Sequence, residues 1–320
     1  MIISVSRRTD IPAFYSEWFY KRIEEGFCTV PNPFNAEQVS IVNLKPEAVT
    51  AFVFWTRNAY PLMKKLELLD EHNYKYYFQF TINNLPKNYE PYNPTLKTAI
   101  ECFKELSNKL GSGKVIWRYD PIFFTDDITL KFHKENFECL YHELKGYTKR
   151  LVISIVDDYK KALHRLAKLD TNYKGNQIAK PQVEELLKFI VEYANDAGIQ
   201  VESCAEEKDF QSLGIVHGKC VDDRLLKNEF GIDLTYKKDK GQRLPCGCMI
   251  SKDIGMNNTC LMGCEYCYAT ASHELAVNNR KKHDPEFSSL LVHKMPKEIE
   301  KGIQELTQNK NITMQQMVLF

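Results

Sequence analysis

Short apolar runs alternate with longer helical patterns over the first two-thirds of the chain, which is how βα units that build a parallel sheet read in sequence. Residues 2–5, 39–44 with 50–55, 76–82, 115–119, 151–156 and 199–203 are rich in β-branched and aromatic side chains and predict strands. Amphipathic segments at 16–25, 61–70, 95–110, 130–144, 159–169 and 181–197 lie between them. Pro94 and Gly111 bracket one of these, and Pro181 with Gly198 punctuate another, in the order that helix starts and stops favour. About six successive units predict an α/β fold, a TIM-like (βα) barrel, complete or partial, rather than an open doubly wound sheet. Residues 170–181 read as a loop.

From about residue 206 the texture changes to Gly, Asp, Asn, Lys and Cys with few long apolar patterns. The expected division is a barrel-like domain at 1–205 and a cysteine-rich, loop-dominated lobe at 206–320. That lobe should end in a helix over 296–306 and a tail, MQQMVLF, whose last apolar residues dock on the body. Hydrophobic residues at 43% and aromatics at 12% are enough to build a core and exclude wholesale disorder. Net charge is +1, so no whole-molecule field draws in nucleic acid, although a local patch such as Arg280, Lys281, Lys282 and His283 stays open. No apolar run approaches the roughly 20 residues of a membrane helix, and the start carries no cleavage-site pattern, so a cytoplasmic protein without a membrane partner is expected. Neither a G-x-G-x-x-G nor a Walker loop occurs; the nearest approach, GIVHGKC at 214–220, has the wrong spacing.

Ten cysteines change the picture, because seven of them, Cys204, Cys220, Cys246, Cys248, Cys260, Cys264 and Cys267, fall within residues 204–267. In a reducing compartment grouped thiols read as metal ligands or redox groups rather than staples. Cys260, Cys264 and Cys267 form a C-x3-C-x2-C triplet, a short loop able to wrap three thiolates round one side of a 4Fe-4S cluster. Three ligands leave one iron open for substrate or cofactor. The competing reading is a structural zinc completed by Cys246, Cys248 or His273. Cys204, Cys220, Cys246 and Cys248 suffice for a second metal site, a cluster or a zinc, or else are ordinary core cysteines. Cys28, Cys102 and Cys139 read as core residues. Among the histidines, His72, His133, His142 and His164 are expected to face solvent or neighbouring helices, and His217 is the best non-cysteine ligand.

The segment from Cys260 to Ala269, CLMGCEYCYA, resembles the C-x3-C-x-aromatic-C motif of the radical S-adenosylmethionine (SAM) superfamily, with Tyr266 in the aromatic slot. That resemblance implies a 4Fe-4S cluster whose open iron chelates SAM, reductive cleavage of SAM to a 5′-deoxyadenosyl radical, and a reductant such as a flavodoxin or ferredoxin. The motif lies late in this chain, as in the thiamin pyrimidine synthase group, and the Gly-Gly-Glu segment of the superfamily has no counterpart here. Over nearly its whole length the chain is also similar to a bacterial family described as domain of unknown function 1848, through ISVSRRTDIPAFY at 3–15, VFWTRN at 53–58, FQFTIN at 78–83, WRYDP at 117–121, ESCAE at 202–206 and HGKC at 217–220. This second resemblance implies a C-terminal cysteine cluster like that of radical-SAM proteins, and no activity of its own.

In a parallel barrel, polar side chains of matching parity near strand C-termini face the working mouth. Gln79, Thr81 and Asn83, then Arg118 and Asp120, then Glu202, Cys204 and Glu206 follow that parity, while Arg7, Arg8 and Asp10 and then Thr56, Arg57 and Asn58 end the first two barrel strands. Arg118, Asp120 and Glu202 are the candidate catalytic residues, and Arg7, Arg57, Asn83 and Tyr266 the candidate cofactor-binding ones. Arginines there suit a carboxylate or phosphate, and the acids suit a ribose or an amine. Simple charge pairing at the rim is the plainer alternative. The leading expectation is a radical-SAM-type iron-sulfur enzyme acting on a small or polar substrate. The alternatives are a non-catalytic electron-transfer or structural-metal protein with a ligand-binding barrel, and a zinc hydrolase.

Overall fold

A computed structural model describes residues 1–175, 177 and 180–308, apart from the side chains of 36, 307 and 308; the MQQMVLF tail lies outside the described residues. The strands are β1 (Ile2–Val5), β2 (Phe27–Asn32), β3 (Asn35–Asn43), β4 (Ala51–Thr56), β5 (Tyr76–Thr81), β6 (Val115–Ile122), β7 (Arg150–Ile155), β8 (Gln200–Ser203), β9 (Val216–His217) and β10 (Lys252–Asp253). Eight of them form one sheet in the order β10-β1-β4-β5-β6-β7-β8-β9, and every pairing in it is parallel. The fold is therefore mixed α/β with a large parallel sheet flanked by helices.

Period-2 alternation divides this sheet into two apolar faces. Ile3, Val5, Phe52, Phe54, Phe78, Phe80, Trp117, Tyr119, Leu151 and Ile153 point toward the helices and join them in one continuous core. Ile2, Ala51, Val53, Tyr77, Ile116 and Val152 point the other way and pack on Val221, Leu225, Leu226, Cys248 and Met249. This second face is thus covered by chain from the region past residue 206, whose strands β9 and β10 are the two edges of the sheet. The hydrogen-bond ladder does not join these edges. Instead, Met249 N donates to Val221 O at 3.0 Å, so a crossing segment lies between them.

Two local expectations are corrected. Residues 39–44 are not in the parallel sheet: 39–43 belong to β3, which pairs antiparallel with β2 in a separate hairpin. That hairpin carries the helix Lys297–Gln308 through Phe27, Val39, Ile41 and Ile299. The helix expected at 61–70 is broken into Tyr60–Met63 and Leu66–Glu71. Within the lobe, Asp222 and Ser272 cap helices Asp223–Phe230 and His273–Arg280 by accepting from Arg224 N and Leu275 N.

His133 does not face solvent. It is buried between Tyr119 OH, 2.8 Å from Nδ1, and Phe123 O, 2.9 Å from Nε2. Burial disfavours the imidazolium and lowers its pKa from 6.5 to about 4. As pH falls through that interval, the unfolded chain takes up a proton that the folded chain refuses, so stability is present above about pH 6.5 and declines toward pH 4. The loss amounts to roughly 3 kcal/mol. His133→Gln should flatten this part of the pH dependence in urea titrations; a variant with the wild-type slope would refute the assignment.

Candidate functional site

The triplet loop is held over the C-terminal ends of the central strands by contacts that do not involve its thiols. Glu265 N donates to Tyr89 O at 3.0 Å, and Cys267 N donates to Cys264 O at 3.1 Å, closing a turn. Arg165, on helix Lys160–Leu169, donates to the carbonyls of Glu265, Cys267, Thr270 and Ala271, so one guanidinium gathers the backbone after the second cysteine. Asn258 ties the loop base by accepting from Ala271 N at 2.8 Å and donating its own N–H to Ala269 O. Gly263 has φ +66, and an added Cβ there would lie 2.5 Å from Cδ2 of Tyr92.

Cys260, Cys264 and Cys267 are half-buried, and the three thiols lie within electrostatic reach of one another. Burial pushes the Cys264 thiol up to about 12 despite the opposing Arg57 charge, and pushes Cys260 up as well. Cys264 Sγ lies 3.6 Å from Asn93 Oδ1. Around the loop, Asn93 Nδ2, Thr270 Oγ1 and His273 Nδ1 are buried with no hydrogen-bond partner among the described residues. Among the described residues, no group of three or more His, Cys, Asp or Glu side chains converges as a preformed metal site.

Beneath the loop lies a polar network built from strand ends. Arg57 Nη1 pairs with Glu90 Oε1 at 2.9 Å, and Arg57 Nη2 donates to Tyr266 OH at 2.5 Å. Tyr266 OH in turn donates to Glu90, and Asn83 Nδ2 reaches Tyr266 OH at 3.3 Å and Asp120 O at 2.7 Å. Burial raises the Tyr266 phenol well above its ordinary range, so it remains a donor. Asp10 accepts from Thr56 Oγ1 and Arg57 N, each at 2.8 Å, and burial raises its pKa to about 6. A cleft of about 60 Å³ opens beside Arg57, Asn83, Glu90 and Asn93.

Arg118 joins this level to a second cysteine group. Its guanidinium pairs with Asp120 and donates from Nη1 to Gln79 Oε1 at 3.1 Å and Cys220 Sγ at 3.0 Å. Cys220 Sγ lies 3.4 Å from Cys204 Sγ, while Cys246 and Cys248 approach from the far edge. Arg7 lies 4.9 Å over the Trp55 ring and close to Cys248. The structure thus gathers Arg7, Arg57, Asn83, Arg118, Asp120 and Tyr266 toward the strand C-termini.

Glu202 is a correction: it does not join them. It pairs with Arg150, the first residue of β7, at 2.6 Å, beside Asp222, and lines a cavity of about 280 Å³ with Gly113 and Lys149 at the opposite end of the sheet. His217 is likewise taken, with Nε2 2.5 Å from Pro245 O.

Residues 2–269 match the family described as domain of unknown function (DUF1848), a span that includes both cysteine groups. The chain belongs to the DUF1848 family. No curated protein matches it.

Within this DUF1848 fold, three residues matter that the sequence pattern did not single out. Asp253 accepts from Ser4, Ser6, Arg7 N and Arg8 and thereby fixes the turn after β1; burial alone would raise its pKa, but Arg8 and these donors outweigh it and hold it low. Glu90 holds Arg57, and Arg165 holds the cysteine loop. Asp253 sits in a two-residue strand, Glu90 in a loop and Arg165 on an amphipathic helix, so none carried a local signal. No helix among the described residues is long and apolar enough to cross a membrane.

Proposed function

We propose that this chain is an iron-sulfur protein of radical-SAM type that holds a 4Fe-4S cluster on Cys260, Cys264 and Cys267 and binds SAM and a small polar substrate over the strand ends. What carries the reading is three thiols within electrostatic reach of one another on one loop, rimmed by buried polar atoms with no partner among the described residues, Asn93 Nδ2 and His273 Nδ1. Buried unpaired donors are costly, and a bound group that accepts from them removes the cost. Thiolate is the donor that such clusters take, and loading requires the three sulfurs to turn toward a common centre. A cluster with one open iron supplies the electron for reductive cleavage of SAM.

The chain's own residues have the remaining tasks. Arg57 is committed to Glu90 and Tyr266 and so positions the loop rather than gripping a ligand. Arg118 and Asp120 set a paired charge at the mouth that suits a polar or zwitterionic substrate. The cleft beside Asn93 is smaller than the ~300 Å³ of typical ligand pockets, so a nucleoside-sized molecule must open the cover over Arg57. Cys248 is engaged with Cys220 and Cys246, which leaves the triplet without a fourth thiol from that group.

A second reading, a closed structural or electron-transfer metal site, is favoured by His273, whose unpartnered Nδ1 would lie 3.4 Å from a Cβ on Gly263. Anaerobic reconstitution separates the two. About four irons per chain that vanish in Cys260→Ala, with an electron paramagnetic resonance signal shifted by SAM, support the enzyme. A signal indifferent to SAM but altered in His273→Ala supports the closed site, and iron unaffected by Cys260→Ala overturns both.

A further inference from the structure

Four cysteines outside the triplet meet where the ladder of the sheet stops. Cys204 follows β8, Cys220 follows β9, and Cys246 and Cys248 precede β10. Their sulfurs make an unbroken string: Cys204 and Cys220 are 3.4 Å apart, and side-chain hydrogen bonds link Cys220 to Cys248 and Cys248 to Cys246. Cys248 Sγ also accepts from Cys220 N at 3.2 Å and Val221 N at 3.5 Å, which holds it against the strand β9 exit. Two guanidiniums face the string. Arg118 Nη1 is 3.0 Å from Cys220 Sγ, and Arg7 stands near Cys248 with a buried Nη2 that has no hydrogen-bond partner among the described residues. A buried cation with an unfilled donor is destabilising unless negative charge is brought to it.

We propose that Cys204, Cys220, Cys246 and Cys248 bind one thiophilic divalent ion of the zinc type, a closed four-thiolate site that staples the β9 edge of the sheet to the β10 edge. Four thiolates round a divalent ion carry two net negative charges, which the guanidiniums of Arg7 and Arg118 offset. Metal-sulfur bonds of about 2.3 Å in a tetrahedron set neighbouring sulfurs roughly 3.8 Å apart, near the spacing of Cys204 and Cys220, whereas the corners of a cube would need a wider one. As the side chains stand, the sulfurs form a string, so loading brings its two ends, Cys204 and Cys246, round to one centre. Each thiol gives up its proton to solvent as the metal binds. With no position left open, the ion is structural: it reinforces by coordination a seam that the ladder of the sheet does not close.

The experiment uses the full chain with Cys260, Cys264 and Cys267 all changed to Ala, purified without oxygen and titrated with Co²⁺ and then Zn²⁺. Expected are about one equivalent bound, an intense sulfur-to-cobalt charge-transfer band with tetrahedral d-d bands, displacement by zinc, and a melting temperature that falls on chelation. Adding Cys220→Ser and Cys248→Ser should abolish both metal and band. Cobalt without the thiolate band, or metal retained in those variants, overturns the site. Should these variants not fold, mass spectrometry of alkylated wild-type protein decides: zinc must shield Cys204, Cys220, Cys246 and Cys248, and their labelling regardless of zinc rejects the proposal. None of these outcomes depends on iron at the triplet, so the two readings fail separately.

Discussion

Arg118→Ala is expected to destabilise the fold by roughly 3–5 kcal/mol, the range found when one partner of a buried charge pair is removed. The side chain is almost fully buried, and its head satisfies three groups at once, Asp120, Gln79 and the Cys220 sulfur. Without it, Asp120 keeps only a long contact from Ser154 Oγ at 3.5 Å for the oxygen that Arg118 had occupied. Desolvation then acts on an uncompensated carboxylate. Arg118→Met combined with Asp120→Asn should recover much of the loss, because both charges leave together. Urea unfolding of the wild type, both single variants and the double variant measures the coupling; a loss under ~1 kcal/mol in Arg118→Ala would place the pair among weak surface bridges instead.

Gly263→Val should have the largest effect on the cysteine loop itself. Gly263 occupies left-handed backbone, where a side chain costs about 1–2 kcal/mol. Its new Cβ would also meet Tyr92 at 2.5 Å and push that ring off His273, on which it stacks at 3.8 Å. Both strains are relieved by moving the turn between Cys260 and Cys264, the motion that would separate the thiols. Bound iron after anaerobic reconstitution should fall to background, with a lower melting temperature and with the His133-dependent acid response unchanged. Gly263→Ala should show the same direction at smaller size. Full iron content in the valine variant would mean that the conformation of this turn does not govern the site.

Much of the architecture was readable before any coordinates. Strands β1, β4, β5, β6 and β7 carry runs rich in apolar, β-branched and aromatic residues, and each lies where its run predicts; β8, QVES, lies at the end of a shorter one. Parity alone also set Gln79 and Arg118 on the same face of the sheet, where both meet Cys220. The β2-β3 hairpin escaped because its first strand, FCTVPN, holds a proline and follows a glycine, and so imitates a connection. Strands β9 and β10, two residues each, are too short to show any period, yet they decide where both sheet edges end. Glu202 misled for a related reason: parity assigns the face of a strand but not the end, and its partner Arg150 draws it to the far one.

By itself, the order of residues determined a parallel α/β sheet, a late triplet of thiols and the side of the sheet on which each polar residue stands, because these depend on short-range periodicity and spacing. Only the tertiary structure decided which charges pair, that Arg165 and Asp253 brace the loop and the turn beneath it, and that four cysteines from three separate stretches share one seam. Those outcomes rest on contacts between residues tens to hundreds of positions apart, whose energies come from burial and geometry that no local pattern encodes.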